Sequence, residues 1–422
     1  MYRADLKSNN CIHLKKSVLA DDLESELITK YDKQYNDLLC IDFKDASYVD
    51  LATLMVLTST ISQRQHDNVE TVIGLPNERK VRDFFKAWRY EEALLAATGI
   101  GLESITLDDD KSFFNEEQTT YNGQGEALEK LQWNPDWDRH ITSKRNFFEF
   151  TTFSKPTASA LTTLEKNISE NTPRFESQRW NSPLIQEVLK KHLRENSISE
   201  EIARVIIYEA MSNAVRHPDS NVIQVASRFY KPSSTKSNSN LLISIWDDGE
   251  TIANTLLAVL KENRPIRTQN LPSYMQENIL CQKKDFGASD YIEPIVISES
   301  HDVNRKTEQL GRLLVFSTFP GVSRHAGSPA ITKDDSQKYI GGVVLERGMG
   351  LYALRRTVVD QFQGNVNIRS GQYFIRIGRP SRPLENKYNA RYLYRIKEYP
   401  PNYKSFKGNL ININLPIRDY EC

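Results

Sequence analysis

Glu209-Ala210-Met211-Ser212-Asn213-Ala214-Val215-Arg216-His217-Pro218 is the stretch on which the reading of this chain turns. It closes a run that reads as helix from about residue 199. Ile202, Val205 and Ile206 recur there at helical spacing and mark a buried face. One turn on, the same face carries Glu209 and then Asn213, at i and i+4. An unpaired buried polar group costs about 1–3 kcal/mol. A carboxylate and an amide in successive turns therefore imply a shared polar partner. His217 extends the stripe and Arg216 flanks it. Such a set at one helix end suits a hydrated metal ion and phosphates. Taken alone, the pair reads equally well as a buried Glu–Asn pair bonded to nearby backbone.

Working outward, residues 221–230 alternate as a strand expected to turn its odd positions to the core. Residues 241–246 form a second strand, joined to it by the polar turn 233–240. The second strand runs into Asp247-Asp248-Gly249-Glu250-Thr251. A carboxylate at a strand end followed by glycine can reach a cleft while the backbone turns sharply. A plain Asp-Asp-Gly turn would look the same. Much later come Arg347-Gly348-Met349-Gly350-Leu351 and a helix expected over 352–362. Glycines opening a helix let backbone N–H groups approach an anion. Strand-like segments follow at 365–369, 373–377 and 409–415.

Glu209-x-x-x-Asn213, Asp247-x-Gly249 and Gly348-x-Gly350-Leu351 occur in the order found in the GHKL ATPases, and about residues 180–416 resemble that family. The resemblance implies a Bergerat-type α/β sandwich, with helices on one face of a mixed, mostly antiparallel sheet, binding ATP with Mg2+. It implies that Asn213 holds Mg2+ against the phosphates and that Glu209 orients the attacking water as general base. Asp247 would accept the adenine amino group, and Gly249 would let the base approach. Gly348, Gly350 and Leu351 would form the phosphate loop, with Arg216 and His217 facing the phosphates. Thr251 departs from the pattern, standing where the family usually has a second glycine. The stretch between the two glycine boxes, about 253–346, is longer than the usual ATP lid.

Residues 1–110 read as a separate α/β unit, with strands at 38–43 and 69–75, an apolar helix over 51–65 and one amphipathic helix over 78–95 carrying Val81, Phe84, Phe85 and Trp88. Alternating strands and helices imply crossover connections. Ile41-Asp42-Phe43, Tyr48-Val49-Asp50 and Arg82-Asp83-Phe84-Phe85 resemble the STAS domain of anti-sigma-factor antagonists. Phosphorylatable members of that family place a serine after the helix-opening aspartate, whereas Leu51-Ala52 stands here. Residues 111–155 read as a linker and 156–422 as the ATP-binding domain, with a helix at 183–195.

Lys+Arg and Asp+Glu are 55 each, so the net charge is zero and a dedicated nucleic-acid binder is not indicated. No apolar run is long enough to span a bilayer. The four cysteines, Cys11, Cys40, Cys281 and Cys422, form no CxxC pair and read as reduced thiols in a cytoplasmic protein. The expected function is a Mg-ATP-dependent switch with slow hydrolysis, in signalling or defence, acting on a protein partner or as a homodimer. The alternative is a serine/threonine kinase of the anti-sigma type. A histidine autokinase does not fit: His192 lies too close to the central helix, and His140 has no long helical hairpin around it.

The N-terminal unit is expected to carry no regulated phosphate at the start of its 51–65 helix. Phosphopeptide mass spectrometry that found a regulated mark on Ser47 or Thr53 would count against this.

Overall fold

The computed structural model describes residues 11–31, 38–107, 110–111, 147–154, 209–210, 213–214, 219–230, 239–262, 278–284, 291–296, 310–319, 322, 338–340, 343–345, 350–380, 391–399 and 406–417. The chain is mixed α/β and divides into two compact bodies. The first comprises Met1–Ser154 with Val222–Arg228 and Pro400–Lys407. The second comprises Lys155–Asn221, Phe229–Tyr399 and Gly408–Cys422.

In the first body, β1 (Cys11–Val18), β2 (Leu39–Val49) and β3 (Thr71–Gly74) form a parallel sheet in that order. Helices α1 (Ala20–Tyr31) and α2 (Leu51–His66) supply the two crossovers that parallel strands require. α2 is buried on nearly all sides, from Leu51 through Ile61 to Arg64. That agrees with its sparing use of charge. Its buried Arg64 is satisfied by the Thr71 hydroxyl (2.9 Å) and the Glu70 carbonyl (2.7 Å). Asp50 caps the other end, accepting from the Thr53 N–H (2.7 Å) and the Thr53 hydroxyl (2.5 Å).

The expected helix over 78–95 is two helices, α3 (Arg79–Ala87) and α4 (Tyr90–Thr98). Trp88 ends the first and Arg89 adopts a left-handed φ of 52°, which stops the ladder and redirects the chain. Phe85 can then pack edge-on to both Phe43 and Tyr90. A short helix, α5 (Leu102–Ile105), follows. β4 (Phe147–Ser154) pairs antiparallel with β5 (Val222–Tyr230). On β5 the even positions Gln224 and Ala226 are buried along with the odd ones. The Gln224 amide is satisfied by donating to the Ala93 carbonyl at 2.9 Å, so the expected one-sided alternation does not hold.

The reading of all cysteines as reduced is also corrected. Cys11 and Cys40 are register partners across β1 and β2, with Cα atoms 4.4 Å apart, and they form a disulfide. β1 escaped the sequence reading, and without it the pairing had no basis.

The second body holds β6 (Ser239–Asp247), α6 (Ile252–Lys261), β7 (Asn278–Lys284), β8 (Tyr291–Val296), α7 (Leu310–Phe316), β9 (Lys338–Ile340), β10 (Val343–Leu345), α8 (Gly350–Arg355), β11 (Asn365–Ser370), β12 (Tyr373–Gly378), β13 (Tyr392–Glu398) and β14 (Asn409–Ile417). Its sheet runs β6-β14-β11-β12-β13-β7-β8. All these pairings are antiparallel except β13 with β7. The long stretch between the glycine boxes thus contributes two strands to the sheet. β9 and β10 form a separate hairpin. α8 continues into a π-helical turn, Arg356–Gln361, so the expected 352–362 helix starts at Gly350 and changes winding midway. The helices expected at 183–195 and from 199 to 208 lie outside the described residues. Among the described residues, no helix is long and apolar enough to cross a membrane.

Asp50 gives a test of the first body. Replacing it with Ala removes the α2 cap and should lower stability by about 0.5–2 kcal/mol, whereas Asn retains an acceptor and most of the cap. Burial pushes the Asp50 carboxyl above its ordinary 3.8. The Thr53 bonds oppose that rise, and nearby Asp21 and Asp22 add to it. A native pKa raised above the unfolded value means tighter proton binding in the native state. The resulting stability is complete below the ordinary value and is lost as pH rises through the raised one. Urea denaturation across that window should show the parent losing stability relative to Asp50→Asn as pH rises. A pH-independent difference would contradict the assignment.

Candidate active site

Two constellations in the second body contain the residues singled out in the sequence. The first joins Glu209, Asn213 and Gly350. Glu209 is buried at 8% exposure, and Asn213 is half-buried one turn later. Gly350, the first residue of α8, faces both. A Cβ on Gly350 would run into the Glu209 carboxylate and lie 3.6 Å from Asn213 Nδ2. The missing side chain lets the Glu209 carboxylate come up against the start of α8. Asn213 Nδ2 is buried and has no hydrogen-bond partner. A buried, unsatisfied amide beside a carboxylate and a bare glycine backbone is costly unless a ligand completes it. Leu351 follows with its side chain buried, fixing α8 from the core side.

α8 is held in place from its far end. Arg355 is fully buried, donates to the Tyr394 hydroxyl at 2.8 Å and lies 4.1 Å over the Tyr392 ring. Tyr394 also bonds the Thr318 hydroxyl just after α7. A Cβ on Gly364, beyond the π-turn, would strike the Asn414 carbonyl, so this turn packs directly on β14.

The second constellation lies at the end of β6. Asp247 is 2% exposed. Its Oδ1 accepts from the Gly249 N–H (3.0 Å) and from Asn409 Nδ2 (3.1 Å). The first bond is the tight turn that a glycine permits. The second fixes the carboxylate plane. Asn409 Nδ2 also donates to the Glu250 carbonyl (2.9 Å), while Asn409 Oδ1 accepts from Ser370 Oγ (2.6 Å) and the Ile252 N–H (3.1 Å). Asp248 accepts from the Asn221 N–H at 2.7 Å. Thr251, standing where a second glycine was expected, caps α6 through its hydroxyl and the Asn254 N–H (3.2 Å).

Asn409 and Ser370 were not read as site residues. The signal was available in Gly408-Asn409, where an asparagine opens an otherwise apolar strand directly after a glycine. Gly408 has a φ of +84°, and a Cβ there would collide with the Asp247 carbonyl. Arg216, His217 and Gly348 lie outside the described residues. Comparison with protein-family models, with curated proteins and with solved structures finds no significant match to this chain.

Gly350→Ala should push the Glu209 carboxylate away from α8 and destabilise the second body by about 1 kcal/mol, at the low end of overpacking because a side-chain tip can move. Gly101→Ala in the first body meets nothing within 4 Å and serves as control, with a change within about 0.5 kcal/mol. Equal denaturation midpoints for the two variants would show that Gly350 does not need its hydrogen.

Proposed function

We infer that the second body binds Mg-ATP and hydrolyses it slowly, as a GHKL-type ATPase with a Bergerat-type sandwich. The observation that carries this reading is the convergence of Glu209, Asn213 and Gly350, with the Asn213 amide left unsatisfied. These residue types fit the group. An amide N–H suits a phosphate oxygen, and an amide flip presents an oxygen to a cation at the same position. Gly350, having no side chain, lets the Glu209 carboxylate and the Asn213 amide gather at the first residue of α8. Mg2+, when bound, neutralises phosphate charge and usually takes one or two protein ligands, with phosphates and water completing its shell.

The chain's own residues divide the work. Asp247 is an acceptor held rigid by Gly249 and Asn409, suited to the exocyclic amino group of adenine. Asn213 orients the phosphates and the cation. Glu209 takes the proton of a water, or of a protein hydroxyl, at its carboxylate. Leu351 closes the apolar side. By resemblance, Arg216, His217 and Gly348 complete the phosphate contacts. α8 is tied through Arg355 to β13, and β13 carries β7 and β8. Nucleotide at Gly350 is thereby linked to the long stretch between the glycine boxes, which gives a switch acting on a protein partner or a second copy.

Three substitutions separate the roles. Asp247→Asn should weaken ATP binding by about 1–3 kcal/mol, with circular dichroism checking that the Asn409 bonds still hold the fold. Asn213→Ala should weaken Mg-ATP more than ATP alone. Glu209→Ala should keep ATP affinity near that of the parent while turnover falls by about 10²–10⁴-fold, the usual worth of a general base. Calorimetry and phosphate release on the same preparations measure both quantities. Unchanged turnover in Glu209→Ala would overturn its assignment as base. Radiolabelled ATP incubated with candidate partners distinguishes the products: free phosphate supports hydrolysis, label on a partner's serine or threonine supports the kinase alternative, and neither would defeat both.

A further inference from the structure

The first body carries a cluster that the ATP reading does not use. β1 reads Cys11-Ile12-His13 and its neighbour β2 reads Cys40-Ile41-Asp42. The strands pair in parallel, with Cys11 opposite Cys40, Ile12 opposite Ile41 and His13 opposite Asp42. Side chains alternate along a strand and register partners share a face. Two cysteine sulfurs, an imidazole and a carboxylate therefore leave one side of the sheet together. Ile12 and Ile41 leave the other side and are fully buried, which pins the strands.

The donor atoms of Cys11, His13 and Asp42 all lie within 4.8 Å of one another. Cys40 Sγ is covalently attached to Cys11 Sγ and so belongs to the same cluster. The carboxylate is oriented from three directions. Asp42 Oδ1 accepts from the Lys44 N–H at 3.0 Å, Oδ2 is 2.9 Å from His13 Nδ1, and Gly74 beneath it has no room for a Cβ against Oδ1. The side chain of His13 is 51% exposed and that of Asp42 13%, while Cys11 and Cys40 are buried, so the cluster is reached from the His13 side.

We propose that reduction of the Cys11–Cys40 disulfide creates a tetrahedral zinc-type site from Cys11, Cys40, His13 and Asp42. In the oxidised chain neither sulfur is a thiolate, and two protein donors remain, His13 and Asp42. A dithiol reductant supplies two electrons and two protons. The S–S bond breaks, two thiols form, and the reductant closes to its own disulfide. On metal binding both thiol protons pass to solvent and two thiolate–metal bonds form. Two sulfurs, one nitrogen and one oxygen make a donor set for Zn2+, whereas Mg2+ and Ca2+ take oxygen. Metal and disulfide are thus mutually exclusive states of the same strand pair.

The test uses the full chain with Cys281→Ser and Cys422→Ser, leaving Cys11 and Cys40 as its only thiols. The protein is reduced with a dithiol, freed of it without air, and titrated with Co2+. The expected result is one cobalt per chain, with thiolate-to-cobalt charge-transfer absorption and the visible bands of a tetrahedral ion, displaced by Zn2+. The oxidised protein should show neither. His13→Ala, at an exposed position, should lower affinity by more than about 100-fold, since even outer-shell partners are worth about 10–100-fold. Absence of the charge-transfer band after reduction, equal binding by the oxidised chain, or unaltered affinity in His13→Ala would each overturn the proposal.

Discussion

The second body depends on one buried side chain, Asn409. It is fully enclosed, and its amide uses its whole bonding capacity: two donors, to Asp247 and the Glu250 carbonyl, and two acceptor positions, taken by Ser370 and the Ile252 N–H. Those four partners belong to the end of β6, the turn after it, the end of β11 and the first residue of α6. A single amide thereby sets how the carboxylate strand, the helix that follows it and the two neighbouring strands meet. An apolar residue of the same shape would leave several buried groups unsatisfied at once, each costing about 1–3 kcal/mol. Gly408 makes the arrangement feasible. Its left-handed backbone and missing Cβ let β14 start against the Asp247 carbonyl.

Placement of α8 poses the opposite problem, a charge rather than an amide in the core. Desolvating Arg355 is expensive, and the site offsets that with two aromatic partners and a hydroxyl bonded in turn to Thr318. The π-turn that follows places Asp360 beside Arg391 (2.6 Å) and the Tyr392 hydroxyl (2.7 Å), a second tie to the same strand. Gly350 is thus presented to Glu209 and Asn213 by a helix anchored at its other end. The precision of that meeting comes from packing on β13, not from α8 itself, which is too short to be stable alone.

Much of this was legible where a residue's local pattern and its tertiary partner agree. Glu209, Asn213 and Gly350 could be read because a polar stripe on an apolar helix and a helix-opening glycine are both departures from the expected pattern. Asp247-x-Gly249 was legible for the same reason. Other features depended on distant partners and left weak local traces. β1 alternates only briefly before Lys15 and Lys16, so it did not register as a strand, and the disulfide went with it. The break at Trp88–Arg89 carries no Gly or Pro, because tertiary packing of Phe85 and Tyr90 imposes the left-handed residue. Gln224 looks like a solvent position until the Ala93 carbonyl is there to receive it. Asn409 looks like a strand terminus until its four partners are known.

The division of the chain into bodies shows the same dependence on distant partners. A boundary drawn along the sequence would assign everything after the linker to one domain, yet the first body recruits Val222–Arg228 and Pro400–Lys407 from far downstream. Lys407 is held there by Ser59, whose hydroxyl donates to the Lys407 carbonyl and accepts from its N–H, both at 2.8 Å. The next residue is Gly408 and the one after is Asn409. Two peptide bonds therefore separate a backbone clamp of the first body from the amide that organises the second. Asn221, whose N–H is bound by Asp248, stands directly at another crossing, before Val222. The Asp247-Asp248-Gly249 turn is thus bonded beside two of the places where the chain changes bodies, to Asn409 near one and to Asn221 at another. That arrangement gives the turn a structural reason to be rigid, independent of any ligand.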